Sequence, residues 1–305
     1  MSFRASCQHI KGRSWTNIQE KWIEAVPTIH PPGAKPDPGI SRLQTLIDVK
    51  DGLAHGDLVI EVAGLRANAL WEAIFLLHKA AHVVRAAQKH AENGFRSWSL
   101  FDGYHGAYLA ARAVMGLLGV ATPNLDGQQV LLDLFPEQPA RKQYKGKPLI
   151  RYSPHHFRFL KIPQLEQRHL WELFQRVLRQ TVADCWNKDS VTALLGLQCE
   201  EISRKRNPYL YNSIFWPLDD LHVESHDAFF CRPVRGERNE LILSTDHEAF
   251  LLELCFVILN LGLDLLSNLS VSAKQLVPEA ALLLHTGFAN KNRLLQSYFQ
   301  VAKEE

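Results

Sequence analysis

"NALWEAIFLLHKAAHVVRAAQKHAENG", Asn68 to Gly94, is the stretch that decides the fold. Leu70, Ile74, Leu77, Ala81 and Val84 recur at the spacing of one helical face. Trp71, Phe75, His78 and His82 form a stripe beside it. Asn68 suits the N-cap, because its side chain can accept from a first-turn amide, and Gly94 suits the stop. A helix that is apolar over so much of its circumference has to be buried. "SLFDGYHGAYLAARAVMGLLGV", Ser99 to Val120, follows at once. Tyr104, Tyr108, Ala111, Met115 and Leu118 share a face there, and Gly106, Ala107, Ala110, Ala111 and Ala113 admit a close neighbour. The short connection makes these two helices antiparallel partners.

Outward from this pair the signals weaken. On the N-terminal side, Trp15 and Trp22 mark a short helix, and "HPPGAKPDPG", His30 to Gly39, reads as an exposed connector that no helix can cross. "DLVIEVAG", with Val59, Ile60 and Val62, reads as a strand. On the C-terminal side, "LIRY" and "FRFLKI" read as strands, and Glu166 to Trp186 as a helix. Another helix follows and stops at Arg206-Asn207-Pro208, since proline drives the preceding residue out of helical geometry. Ala228 to Ser244 reads as a hairpin with Gly236 in its turn. Asp246 then caps an apolar helix from Ala249 to Leu266, and a last helix carries Pro278 in its first turn. The expected fold is mainly α: an antiparallel helical bundle with a small β-hairpin or strand portion. Residues 1–40 are expected to form an N-terminal extension and linker. Residues 41–305 are expected to form a single mainly helical domain with a basic β insertion near 138–165.

Composition bounds the function classes. The 305 residues are 46% hydrophobic and 22% charged, which suits a globular chain with a sizeable core. The five cysteines, Cys7, Cys185, Cys199, Cys231 and Cys255, are scattered and form no CxxC pair, which argues against a disulfide framework or a zinc ribbon. "MSFRASCQHIKGRSW" has no apolar leader core, and Ala249–Leu266 contains Glu253 and Asp264, so a cytoplasmic protein with no membrane partner is expected. No GxSxG elbow, phosphate-binding loop or GxGxxG occurs, and no cofactor is expected. The apolar helical surface suits a homodimer.

Three stretches carry candidate chemistry. From Gln138 to Leu165 the basic residues Arg141, Lys142, Lys145, Lys147, Arg151, Arg158 and Lys161 meet no acidic residue, and Tyr144, Tyr152, Phe157 and Phe159 lie among them. Cations neutralise phosphates and aromatic faces stack on unpaired bases, so this pattern suits RNA. The same charges can also keep strand edges from aggregating. The second stretch is "RKRNPYLYN". Arg204, Lys205 and Arg206 suit a helix end through the helix dipole alone. In the catalytic reading Arg206 holds a phosphate, with Asn207 and Tyr209 or Tyr211 donating beside it, and cleavage needs no metal. The third is "DDLHVESHD": His222 and His226, with Glu224 between them, would share a face if helical. A polar loop is the default there, and no metal is assigned. His105 and Arg112 share a face of the second helix and could face Arg206 as a composite polar site.

"GYHGAYLAARAVMGLLG" and the later "RNPYLYN" together resemble HEPN-family helical bundles, in which an aromatic and alanine-rich helix precedes an RNxxxH-type motif. The resemblance spans about residues 68 to 216, and the family's histidine falls at about Tyr211 or Asn212. It implies an RNA-directed protein, a metal-independent endoribonuclease of a bacterial defence or toxin system. Arg206, Asn207 and Tyr211 would then act on the phosphate while the basic arm grips the strand. A second expectation belongs to another class: a non-enzymatic helical interaction protein whose basic arm docks an acidic partner or nucleic acid.

Overall fold

A computed structural model of the chain describes residues 8, 10, 12–25, 58–61, 65–93, 95–125, 128–136, 156–162, 165–211 and 250–272. In order these form β1 (Arg13–Ser14), α1 (Trp15–Ala25), β2 (Leu58–Glu61), α2 (Leu65–Glu92), α3 (Arg96–Leu117), β3 (Val120–Ala121) and β4 (Asn124–Leu125). There follow β5 (Gln128–Asp133), β6 (His156–Lys161), α4 (Gln167–Arg179), β7 (Thr181–Val182), α5 (Lys188–Gly196), α6 (Cys199–Tyr211) and α7 (Phe250–Ser272). The fold is mainly α with a few short strands. The expected Ala228–Ser244 hairpin, the Asp246 cap and the last helix lie outside the described residues.

α3 sits at the centre because it is small. Ala107, Ala110, Ala111 and Ala113 are fully buried. A Cβ on Gly116 would stand 2.8 Å from Ala73 of α2, and one on Gly106 would stand 2.6 Å from Cys255 Sγ of α7. Such spacing leaves no room for a methyl group at either glycine. Leu70, Ile74, Leu77, Ala81 and Val84 of α2 are buried, as their spacing predicts. The contacts also fix directions. Late α3 meets early α2 at Gly116 and Ala73, while early α3 meets late α2 at Asp102 and His90. Gly103 lies on Leu252 and Gly106 on Cys255, and Gly262 packs against Val114, so α7 runs the same way as α3. The trio therefore mixes directions and is not antiparallel throughout. A short loop forces α2 against α3, whereas a long stretch of chain separates α3 from α7 and leaves its direction free.

The strands pack beside the end of α3. Their order is β2-β6-β5-β3, antiparallel at each pairing, with β4 also paired to β5. Val130, Leu131 and Leu132 of β5 are all buried although they alternate in direction, so both faces of this central strand are covered. The chain leaves α3 through Gly119 at φ +78°, where only glycine is at ease. A Cβ there would also overlap the Phe135 ring.

α1 belongs to the same core. Trp15, Ile18 and Trp22 are buried. Trp22 Nε1 donates to the Leu117 carbonyl at 2.8 Å, and Trp15 Nε1 donates to Asn268 Oδ1 at 2.8 Å. β1 pairs in parallel with β7. Arg13 beside it makes a buried ion pair of 2.7 Å with Asp133 on β5 and donates to the Leu118 carbonyl.

Several helix ends differ from expectation: α2 begins at Leu65, so Asn68 lies inside it and does not cap it, α3 begins at Arg96, before Ser99, and α7 runs past Leu266 to Ser272. α4 stops at Arg179 and not at Trp186, because Thr181 and Val182 are β-branched and extend to pair with β1. The Thr181 hydroxyl also donates back to the Val177 carbonyl. α6 does not stop at Asn207 but runs through Pro208 to Tyr211. Proline there removes only the amide bond to the Arg204 carbonyl, which a helix late in its course survives at a cost. α7 is long and apolar enough to cross a membrane by composition, yet 78% of its most apolar window is buried in protein, the place of a core helix.

Candidate functional site

The residues expected to act on a phosphate lie on the last turns of α6. Positions 207 and 211 are one helical turn apart, and position 206 precedes them; the side chains of all three lie outside the described set. The described part of this helix is anchored by Ile202, which is buried, and the helix packs on α3 and α4. Arg204 projects into solvent and meets Glu201 at 3.6 Å, an exposed pair that contributes little to stability. Because α6 continues to Tyr211, the cations at 204–206 precede its last turn, which holds no basic residue. The dipole acts within the last turn, so it does not account for them.

Most of the basic arm, Arg141, Lys142, Lys145, Lys147 and Arg151, lies outside the described residues. Arg158 and Lys161 are both on β6. An odd separation places them on opposite faces of the strand. Arg158 stands across from Asp133, and Lys161 across from Val130. The strand thus does not gather these two cations on one face. His222 and His226 also fall outside the described residues. Among the described residues no three of His, Cys, Asp and Glu are placed to hold a metal ion.

His105 and Arg112 part company. Arg112 turns to Glu72 of α2, at 3.2 Å, beside a shallow open depression lined by Ala69, Ala73 and Gly116 among others. His105 lies in a different group at the turn between α2 and α3. There His90 Nδ1 and Asp102 Oδ2 are 2.8 Å apart, within hydrogen-bond distance. Burial raises the Asp102 pKa, opposed by the hydrogen bond from His90 and by the charges of His90 and His105. Aromatic rings surround the pair. His90 lies 6.4 Å from Phe95 and 6.2 Å from Trp98, Trp98 lies 6.1 Å from Phe101, and Phe101 lies 6.1 Å from His105. Nothing in the residue pattern singles out His90 or Asp102, because their pairing depends on the register of two helices. The signal available was the run of aromatics and histidines on both sides of a short connection.

Among the described residues the three thiols are not activated nucleophiles. Burial pushes Cys185 and Cys199 up to about 11 and Cys255 higher still, so all three are protonated at neutral pH. No protein-family model, no curated protein and no solved structure matches the chain.

Proposed function

We propose that this is an RNA-directed protein of the HEPN-like kind, acting at the end of α6 as a metal-independent endoribonuclease. The observation that carries the reading is the course of α6. Its tract from Arg204 to Asn207 stands within a helix held against the central helix α3, where no helix-end effect calls for three adjacent cations. Arg206 would stabilise the charge that develops on the scissile phosphate, with Asn207 and Tyr211 donating to its oxygens. Tyrosine is a poor base near neutral pH, so Tyr211 serves in this scheme as a donor. The cations of residues 141–161 would hold the strand through its phosphates.

The test is cleavage of a labelled single-stranded RNA in EDTA by the wild-type protein and Arg206→Ala. Cutting by wild type and a loss of at least a hundredfold in the variant are expected. Equal cutting by both would move the chemistry away from α6. No cutting by either would end the nuclease reading for that RNA.

A further inference from the structure

We propose that His90 and Asp102 form a proton-tightened clasp across the turn between α2 and α3, one that mild acid closes and that pH 8 loosens. The corner needs such a link, because α3 starts without a cap. Phe95 stands at its N-cap with no side-chain hydrogen bond, and the first turn holds no acidic residue. A helix start left in this state is free to fray. The Phe95 amide donates to the His90 carbonyl at 2.8 Å, and Asn93 donates through its amide and side chain to the Lys89 carbonyl. These bonds hold the turn to α2. His90 Nδ1 and Asp102 Oδ2, 2.8 Å apart, reach from α2 to α3 itself.

The two ends of the helix pair differ in what links them. At the far end Arg112 meets Glu72, and arginine keeps its charge at every ordinary pH. At the turn the partner is a histidine, the side-chain type that changes charge between about pH 5 and 8. A protonated ring carries N–H on both nitrogens. It therefore meets an ionised carboxylate with a proton on Nδ1, whichever tautomer the neutral ring adopts. The bond then joins opposite charges and is roughly twice as strong as a neutral one. Asp102 responds in the same direction. Its side chain is 16% exposed, and burial raises its pKa. It binds a proton more readily in the closed corner than in water. Falling pH thus favours the closed form, starting from a higher pH than an ordinary carboxyl would allow.

Neighbouring charges bear on the same pair. Among the described residues His90 on α2 and His105 on α3 act on Asp102, and a proton on either attracts the carboxylate. Lys89 on α2 is exposed. α7 meets α3 here through Leu252 at Gly103, and Glu253, the next residue, is buried. The side chains of Glu92 and Arg96 lie outside the described residues. The corner that the clasp governs is exposed: Phe95 and Trp98, 49% and 38% exposed, lie 6.4 and 6.2 Å from the His90 ring.

The experiment is hydrogen–deuterium exchange of the full chain at pH 5, 6, 7 and 8, each rate divided by the intrinsic rate of the same sequence at that pH. Peptides covering residues 95–105 are read against peptides covering 107–117, farther along α3, which corrects for global opening. The wild type, His90→Gln, Asp102→Asn and His105→Gln are compared. In the wild type the relative protection of 95–105 is expected to rise about fivefold from pH 8 to pH 5. His90→Gln and Asp102→Asn should each flatten that rise, and His105→Gln should keep most of it. Variants that lower protection by one factor at every pH would show a structural link only and would overturn the clasp. A flat wild-type profile would overturn it too, as would a rise that survives in His90→Gln or disappears in His105→Gln.

Discussion

His78 shows what burial does to one residue. It lies half-buried on α2, and its Nε2 has no hydrogen-bond partner among the described residues. Burial alone pushes its pKa from 6.5 down to about 4. The folded protein therefore holds this ring neutral at a pH where the unfolded chain protonates it. Stability is fully present above pH 6.5 and falls as pH drops toward 4, because the unfolded state takes up the proton first. A fully buried group with this shift would be worth about 3 kcal/mol. Screening by water on its exposed side reduces that to about 1–2 kcal/mol. His78→Leu should match the wild type or slightly exceed it at pH 7.5 and should lose less on acidification. Urea midpoints at pH 7.5 and 5 for both proteins check this. Equal acid losses would show that the ring is hydrated in the fold. A histidine stripe was visible in the sequence, but its state was not. The spacing of His78 and His82 predicts a shared face, whereas the depth of each ring depends on what packs over it.

At the scale of elements, α3 tests how far small residues set the architecture. Gly106→Ala would place a methyl group 2.6 Å from Cys255 Sγ. Either the thiol moves within a buried site or α7 shifts along α3. Overpacking of this kind costs about 1–3 kcal/mol. Cys255→Ala removes the sulfur and opens the space, so the double variant should lose less than the two single variants combined. The expected coupling is about 1–2 kcal/mol, read from a double-mutant cycle in urea. Additivity would mean that α7 has shifted or that this contact is loose. Helices α2 and α3 were legible because each runs for many residues with one apolar face, and the alanine and glycine run foretold the close partner. That partner, α7, was legible only as a buried apolar helix, because no pattern within a helix encodes the direction of its neighbour. β5 went unread because Val130, Leu131 and Leu132 form a continuous apolar run without alternation. α6 was cut short because a proline rule outweighed the packing of Ile202, which holds the helix in place. At the candidate site, the cations of α6 and β6 could be read, but not their placement on helix turns or strand faces.

At the scale of the whole molecule, the first residues close the core from one end. Trp15 and Trp22 reach Asn268 and Leu117, far along the chain, so nothing local shows where they pack. Between them they join the ends of α3 and α7, and Trp22 meets Phe135 edge-on at 4.6 Å. Arg13 neutralises Asp133, and both are buried. Trp22→Ala alone should cost about 3–5 kcal/mol through the cavity it opens. Removing residues 1–25 also takes away Trp15, Ile18 and the partner of Asp133, and a buried charge left alone costs about 3–5 kcal/mol more. Together these losses reach the whole stability of an ordinary domain, about 5–15 kcal/mol. The chain from residue 26 onward should therefore lose its sharp urea transition, while the full chain unfolds with coincident far-ultraviolet dichroism and tryptophan fluorescence. Trp22→Ala, weakened but intact, should keep that coincidence at a lower midpoint. If the shortened chain kept a sharp transition within about 1 kcal/mol of the full one, the core would be complete without α1. The tryptophan hydrogen bonds and the Arg13–Asp133 pair would then be additions to a finished fold.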